Sequence, residues 1–255
     1  MTGSSGMDNI ELSIIVPCYN EGKKLVGNIE KINKYIIKNI PELAYEIIIV
    51  NDGSTDNTLD VLSSAGKELL HTRVLSYEYN LGKGGAVKYG VERAIGKTVA
   101  FMDADLSTDL SAINKVLTIN RNSESGKIII GSRRHKESII IEKQKILRKI
   151  TGICCIVLTN IITRLWLLDT QCGFKVADIE TAKKIVSKQT INDWAFDVEW
   201  LYIAKLNNVE IVEIPVIWEN DRDSRVKAIS SSVRFTRDLF NIVSNKKNYR
   251  FLNIP

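Results

Sequence analysis

A chain of 255 residues, 44% hydrophobic and 25% charged, is long enough for one large α/β domain and apolar enough to bury a sizeable core. Its net charge of +5 is mild, and no Lys/Arg run reaches the density of a nucleic-acid patch, which argues against a nucleic-acid partner. Cys18, Cys154, Cys155 and Cys172 have no CxxC spacing, which argues against a zinc site or a disulfide framework and fits a reducing cytoplasm.

Residues 1–6 read as a cloning remnant before Met7, so a single domain is expected over 7–255. Residues 12–16 are too short for a secretory signal, and Pro17 closes them as a buried strand. Leu25, Ile29, Ile32, Ile36 and Ile40 give residues 21–40 a helical period that stops before Pro41. A second strand at 46–50 runs into Asn51-Asp52-Gly53-Ser54, and Ser54 or Thr55 can cap a helix over 56–70. A third strand is expected at 73–78. Gly84-Gly85 then precede a helix through residue 95, and a fourth strand spans 98–102. This alternation predicts a doubly wound, mostly parallel sheet flanked by helices, with ligands beyond the carboxyl ends of the strands. The polar clusters Tyr19-Asn20-Glu21, Asp52-Gly53-Ser54 and Asp103-Ala104-Asp105 all fall at those ends.

A strand at 127–130 opens onto Gly131-Ser132-Arg133-Arg134. Residues 142–168 read as one helix, basic first (Lys143, Lys145, Arg148, Lys149) and apolar later. Thr151, Thr159, Asn160, Thr163 and Arg164 interrupt it, so it falls short of the roughly 20 apolar residues of a transmembrane span. An interfacial amphipathic helix and a core helix both fit it. A C-terminal extension mixes helices at 181–187, 198–206 and 231–243 with a strand at 209–216. Its basic residues, Arg222, Arg225, Lys227, Arg234, Arg237, Lys246, Lys247 and Arg250, suit either an anionic surface or a solvated helix face. His71 and His135 lack partners in sequence and read as surface residues.

Asp103 and Asp105 flank a small residue directly after an apolar strand. Two such carboxylates offer hard oxygens to Mg²⁺ or Mn²⁺, which shares its other positions with phosphates and water, although a lone Asp-x-Asp also suits an ordinary turn. Asn80-Leu81-Gly82-Lys83-Gly84-Gly85 lets backbone approach a ligand closely at a helix start, yet it has neither Walker A spacing nor that of a dinucleotide fingerprint. Tyr19 offers either a stacking face or ordinary packing, and Asp52 can accept from a base N–H and a ribose hydroxyl.

Together, Ile15-Val16-Pro17-Cys18-Tyr19-Asn20-Glu21, Asn51-Asp52-Gly53-Ser54-Thr55-Asp56, the glycine loop and Asp103-Ala104-Asp105 resemble the inverting glycosyltransferases of family 2, which have the GT-A fold. Gly131-Ser132-Arg133, Asp169-Thr170-Gln171-Cys172-Gly173-Phe174-Lys175 and Phe196-Asp197-Val198-Glu199 extend the likeness over residues 11–220. They point to the subgroup that makes polyprenyl-phosphate sugars, of the dolichyl-phosphate β-glucosyltransferase type and its bacterial relatives. The resemblance implies that Pro17, Tyr19, Glu21, Asp52, Lys83, Asp103 and Ala104 bind a nucleotide sugar, with a UDP-hexose favoured. It implies a Mg²⁺ or Mn²⁺ held by Asp103 and Asp105, with Asp105 catalytic. Arg133, Arg134 and Arg148 would grip the acceptor phosphate, although a solvated cationic face suits Arg134 equally.

A phosphate acceptor is already anionic and needs no base; a hydroxyl acceptor would need one, and Asp197 is the candidate, unless Asp197 and Glu199 merely cap a helix. Membrane helices carried by many relatives are missing, so a peripheral position at the cytoplasmic membrane surface is expected. Three readings follow: hexosyl transfer to a polyprenyl phosphate, hexosyl transfer to a hydroxyl of a glycan, teichoic-acid-like polymer or protein, and a non-catalytic nucleotide-sugar binding module.

Overall fold

The computed structural model describes residues 9–65, 69–121, 126–141, 146–219 and 228–251. Chain order is β1 (Leu12–Cys18), α1 (Gly22–Asn39), β2 (Tyr45–Asp52), α2 (Thr58–Ala65), β3 (Thr72–Tyr77), α3 (Lys83–Arg93), β4 (Thr98–Met102) and α4 (Ser111–Arg121). It continues with β5 (Lys127–Ser132), β6 (Ile139–Ile140), α5 (Ile146–Thr163), β7 (Phe174–Asp178), α6 (Ile179–Lys188), α7 (Phe196–Leu206), β8 (Glu210–Pro215), β9 (Ile217–Trp218) and α8 (Ala228–Ser244).

Seven strands form one sheet in the order β3-β2-β1-β4-β7-β5-β8. Strand β7 is antiparallel to both neighbours, β4 and β5, and every other pair in the sheet is parallel. All residues of β1 and β2 are buried because helices cover both faces, which is why these strands read as unbroken apolar runs. Alternate residues feed opposite faces. Ile14, Val16, Ile47 and Ile49 pack with Leu25, Ile29 and Ile32 of α1 and Ile113 and Val116 of α4. Ile15, Ile48, Val50 and Phe101 pack with Val87 and Val91 of α3, Ile185 of α6, Leu201 of α7 and Leu239 of α8. Pro17 sits in a central strand without cost, since the β1–β4 ladder has already ended at Ile15 and Phe101.

Several boundaries differ from the sequence expectation. Helix α2 starts at Thr58, where the Asp56 carboxylate accepts from the Thr58 amide at 2.9 Å. Ser54 and Thr55 are instead bonded to Asn20, whose φ of 58° turns β1 into the site loop. Gly84 and Gly85 lie inside the first turn of α3 rather than before it. Helix α4 and strands β6, β7 and β9 were not expected.

Helix α5 stops short of residue 168. It ends at Thr163 because Arg164 adopts φ 55° and Asn160 clasps both backbone groups of Leu167. Lys143 and Lys145 fall outside the described residues, as do Arg222, Arg225 and Lys227. Among the described residues, no helix is long and apolar enough to cross a membrane.

Candidate active site

The carboxyl ends of β1, β2 and β4 meet the amino end of β7, the reversed strand, and this edge collects the predicted polar residues. Asp103-Ala104-Asp105 follows β4 in a tight turn closed by the Leu106 amide on the Asp103 carbonyl at 3.1 Å, with Leu106 at φ 55°. Asn28 of α1 donates to the Ala104 carbonyl at 2.8 Å, fixing the loop from below. The Asp103 amide donates to the Gly173 carbonyl at 3.1 Å. A Cβ on Gly173 would lie 1.9 Å from Asp103 Oδ2, so this glycine is a cradle for the carboxylate. Asp105 accepts from the Ser107 amide at 2.9 Å.

Lys83, the first residue of α3, reaches Asp103 Oδ1 at 2.6 Å. Its ammonium is ringed by Trp194, 5.4 Å from the ring centre, and by Phe101 and Phe196, each 5.9 Å away. Burial opposes the charge, but Asp103 and Asp197 outweigh it and hold the lysine above its ordinary range. Gly82 makes this approach possible: its φ is 95°, and a Cβ there would meet the Asn192 carbonyl at 2.6 Å.

Asp52 is where sequence reasoning placed it, at the end of β2, yet it is nearly fully buried and its carboxylate is already engaged. It accepts from Tyr77 Oη at 2.7 Å, Asn80 Nδ2 at 3.0 Å, and the amides of Leu81 at 2.7 Å and Gly82 at 3.0 Å. In this conformation Asp52 organises the glycine loop rather than presenting an open acceptor. Tyr19 is exposed beside it, and Glu21 precedes α1 without a side-chain cap bond. Cys18 is buried, and burial together with Glu21, Asp52 and Asp56 pushes its thiol up to about 12, so it is no nucleophile.

On the other side of β7 the arginines separate. Arg133 donates from Nε and Nη2 to Asp169 at 2.7 and 2.9 Å, and its amide adds a third bond at 3.0 Å. Burial pushes the Asp169 carboxyl up, but Arg133 outweighs it and holds the group below the ordinary carboxylate range. The Asp169 amide in turn donates to Glu213 of β8 at 3.0 Å. Arg134 is exposed, with Nη2 3.7 Å from where a Cβ on Gly152 of α5 would stand. Arg148 lies on α5 one turn before Gly152; its side chain lies outside what is described. The topology thus brings Arg134 to the same helix as Arg148 and gives Arg133 a fixed carboxylate partner.

Asp197 and Glu199 do not cap α7, whose N-cap is Ala195. Asp197 is buried and takes a 2.5 Å bond from Lys175 Nζ, which also donates to the Cys172 carbonyl at 2.9 Å. Burial drives the Asp197 carboxyl upward, and Lys175 and Lys83 pull against it. Glu199 accepts from the Thr190 and Ile191 amides and from Tyr249 Oη at 2.6 Å, tying the segment near 190 to the C-terminal turn. Sequence reasoning missed Asp169, Gly173, Lys175 and Trp194 as site residues, although three of the four sit in a segment that carried the family likeness.

Asp103 and Asp105 fit a Mg²⁺ or Mn²⁺ ion as a donor pair: hard oxygens, one of them seated by Gly173. Among the described residues no group of three or more His, Cys, Asp or Glu side chains is arranged for a metal, so further ligands would come from substrate and water.

The family model of glycosyl transferase family 2 matches residues 13–157. The dolichyl-phosphate beta-glucosyltransferase of Dictyostelium discoideum is 36% identical over 244 residues, 92% of this chain and 75% of that protein. The Homo sapiens protein of the same name is 32% identical over 90% of this chain and 74% of its own length. Among solved structures, glucosyl-3-phosphoglycerate synthase from Mycobacterium tuberculosis in complex with Mn²⁺, uridine diphosphate and glucosyl-3-phosphoglycerate aligns with a TM-score of 0.66 at 15% identity. It covers 92% of this chain and 79% of that one, and at this identity the likeness speaks to fold alone. With the Asp-Ala-Asp turn at the end of β4 in a doubly wound sheet, these matches place the chain in glycosyl transferase family 2, with the GT-A fold.

Proposed function

We propose that this chain, as a single catalytic domain, moves glucose from UDP-glucose to a polyprenyl phosphate with inversion, at the cytoplasmic face of a membrane. The observation that carries this reading is one edge of the sheet holding both halves of such a site. Asp103, Asp105 and Lys83 lie together at the end of β4, and across β7 Arg133 is held by Asp169 while Arg134 reaches Gly152 of α5.

In this reading Tyr19 stacks on the base, with Pro17, Glu21 and Ala104 shaping the pocket around it. Asp52 recognises base and ribose once the glycine loop releases part of its carboxylate. Asp103 and Asp105 would hold the Mg²⁺ or Mn²⁺, which supplies positive charge to the leaving diphosphate. Lys83 adds a fixed ammonium at the same place, already aligned and shielded by aromatic rings. Asp169 pre-orients Arg133, so little side-chain entropy is lost when an acceptor phosphate meets its remaining N–H groups. Arg134 and Arg148 complete that subsite.

A phosphate oxygen attacks the anomeric carbon directly and needs no base. The buried Lys175–Asp197 pair favours this over a hydroxyl acceptor, because a base must reach the proton it removes. Asp197 then serves to position Lys83 and Lys175.

The test is a panel of UDP-glucose, UDP-N-acetylglucosamine and GDP-mannose against a short-chain isoprenyl phosphate and soluble glycans, with Mg²⁺ or Mn²⁺, read as nucleoside diphosphate release. Release that depends on UDP-glucose and the isoprenyl phosphate is expected. Faster transfer to a glycan hydroxyl overturns the acceptor assignment, and binding without transfer to any acceptor overturns catalysis.

A further inference from the structure

Helix α5 presents its apolar side to solvent. Ile150, Ile153, Val157 and Ile161 are 52%, 40%, 51% and 62% exposed, and their spacing of three and four residues lines them along one face. Thr159 and Thr163 are buried on the opposite face, where Gly152 meets Arg134. A helix at a water-washed surface shows the reverse arrangement. The stripe is not an unfinished core contact, because Cys155, Leu158 and Ile162 already pack into the core and α8 lies alongside. Apolar exposure continues past both ends of α5, at Ile139 and Ile141 before it and at Trp166, 72% exposed, after it.

We propose that this face of α5 is a membrane-insertion surface: the helix lies flat at the acyl boundary of a bilayer with Ile150, Ile153, Val157 and Ile161 turned into it. The inference deepens the reading above and rests on it for the choice of a bilayer as occupant. Two observations favour lipid over a second copy of this chain. Lys149 falls in the first turn of α5, with Lys143 and Lys145 just before the helix in sequence, a basic run that suits anionic headgroups. Trp166 stands just beyond the other end, and exposed tryptophan favours the interfacial layer.

The geometry also suits the acceptor. Arg134 touches the inner side of α5 at Gly152, so a phosphate held there is about one helix diameter, roughly 10 Å, from the stripe. An interfacial helix sinks about 5–10 Å into the headgroup boundary, which sets that phosphate near headgroup level.

Apolar insertion survives salt, unlike purely electrostatic attraction. The experiment is co-sedimentation with phosphatidylcholine–phosphatidylglycerol vesicles lacking any polyprenyl phosphate, at about 0.5 M NaCl, where the Debye length is only a few ångströms. The parent protein is expected to bind, and Ile153→Ser with Val157→Ser is expected to lower binding at least tenfold with an unchanged melt. The same double variant should release UDP with a short-chain, water-soluble isoprenyl phosphate as fast as the parent, yet lose at least tenfold on a long-chain acceptor embedded in vesicles. Vesicle binding and long-chain activity equal to the parent's overturn the inference, as does a parent that never binds vesicles. A variant that turns a dimer into a monomer while still binding vesicles assigns the face to a copy–copy contact and overturns it too. If no isoprenyl phosphate accepts sugar from the parent, the functional reading fails, while the vesicle result still decides the surface.

Discussion

Replacing Gly173 by Ala probes the metal turn without touching a charged group. A Cβ there would stand 1.9 Å from Asp103 Oδ2, 2.3 Å from Cγ and 2.7 Å from Oδ1, so the whole carboxylate is in the way. Ordinary contact begins near 3.4 Å, so the carboxylate must retreat by about 1.5 Å, or β7 must give way by as much. Strand β7 lies between β4 and β5 and is bonded to both, so the side chain yields first. A misplacement of about 1 Å at a reacting centre costs about 10²-fold in rate, so a loss of at least that size in kcat is expected.

Gly27, in the exposed middle of α1, is the control: nothing lies within 4 Å of its Cβ, and Ala there should add roughly 0.5–1 kcal/mol of stability and leave activity alone. The assay is UDP release as a function of Mn²⁺, with a thermal melt on each variant. Gly173→Ala should need more Mn²⁺ and turn over far more slowly while melting within a few degrees of the parent. Parent-like turnover and Mn²⁺ dependence would show that Asp103 is not seated by this glycine, and the metal assignment would lose its structural support.

Three further outcomes are expected. Asp105→Ala, or excess EDTA on the parent, should lower turnover by orders of magnitude with the melt nearly unchanged, and full activity in either case refutes a metal at this turn. Arg133→Ala leaves the buried Asp169 carboxylate unpaired and should cost about 3 kcal/mol in chemical denaturation, whereas Arg134→Ala should stay within about 0.5 kcal/mol; equal costs would mean that the Asp169 contacts are not structural. Because Arg133 holds the Asp169 carboxyl below its unfolded value, the stability from that group is present above the ordinary carboxylate range near pH 4 and is lost as acid takes the pH down through the depressed value. The Asp169→Asn deficit should therefore be large at pH 7 and shrink on acidification; a deficit that grows in acid has the wrong sign and refutes the assignment.

Much of this protein was legible in its residues alone. Continuous apolar runs in β1, β2 and β4 mark strands buried on both faces, since helices must cover each side of a parallel sheet. The turns that close those strands put Asp52, the glycine loop and Asp103-Ala104-Asp105 at one edge by topology, before any side chain is placed.

What the residues could not declare is where the chain reverses. Strand β7 carries Lys175 as its second residue, so it does not read as a buried strand; only the insertion of Phe174–Asp178 between β4 and β5 gives that lysine a buried partner in Asp197. The same insertion presses Gly173 onto Asp103 and sets Asp169 against Arg133, contacts between residues 70 and 36 positions apart that no local pattern records. Helix α5 shows the limit most plainly. Its sequence has an apolar period, but a period has no outside, and only packing against the core and α8 decided that Leu158 and Ile162 face inward while Ile153 and Val157 face out.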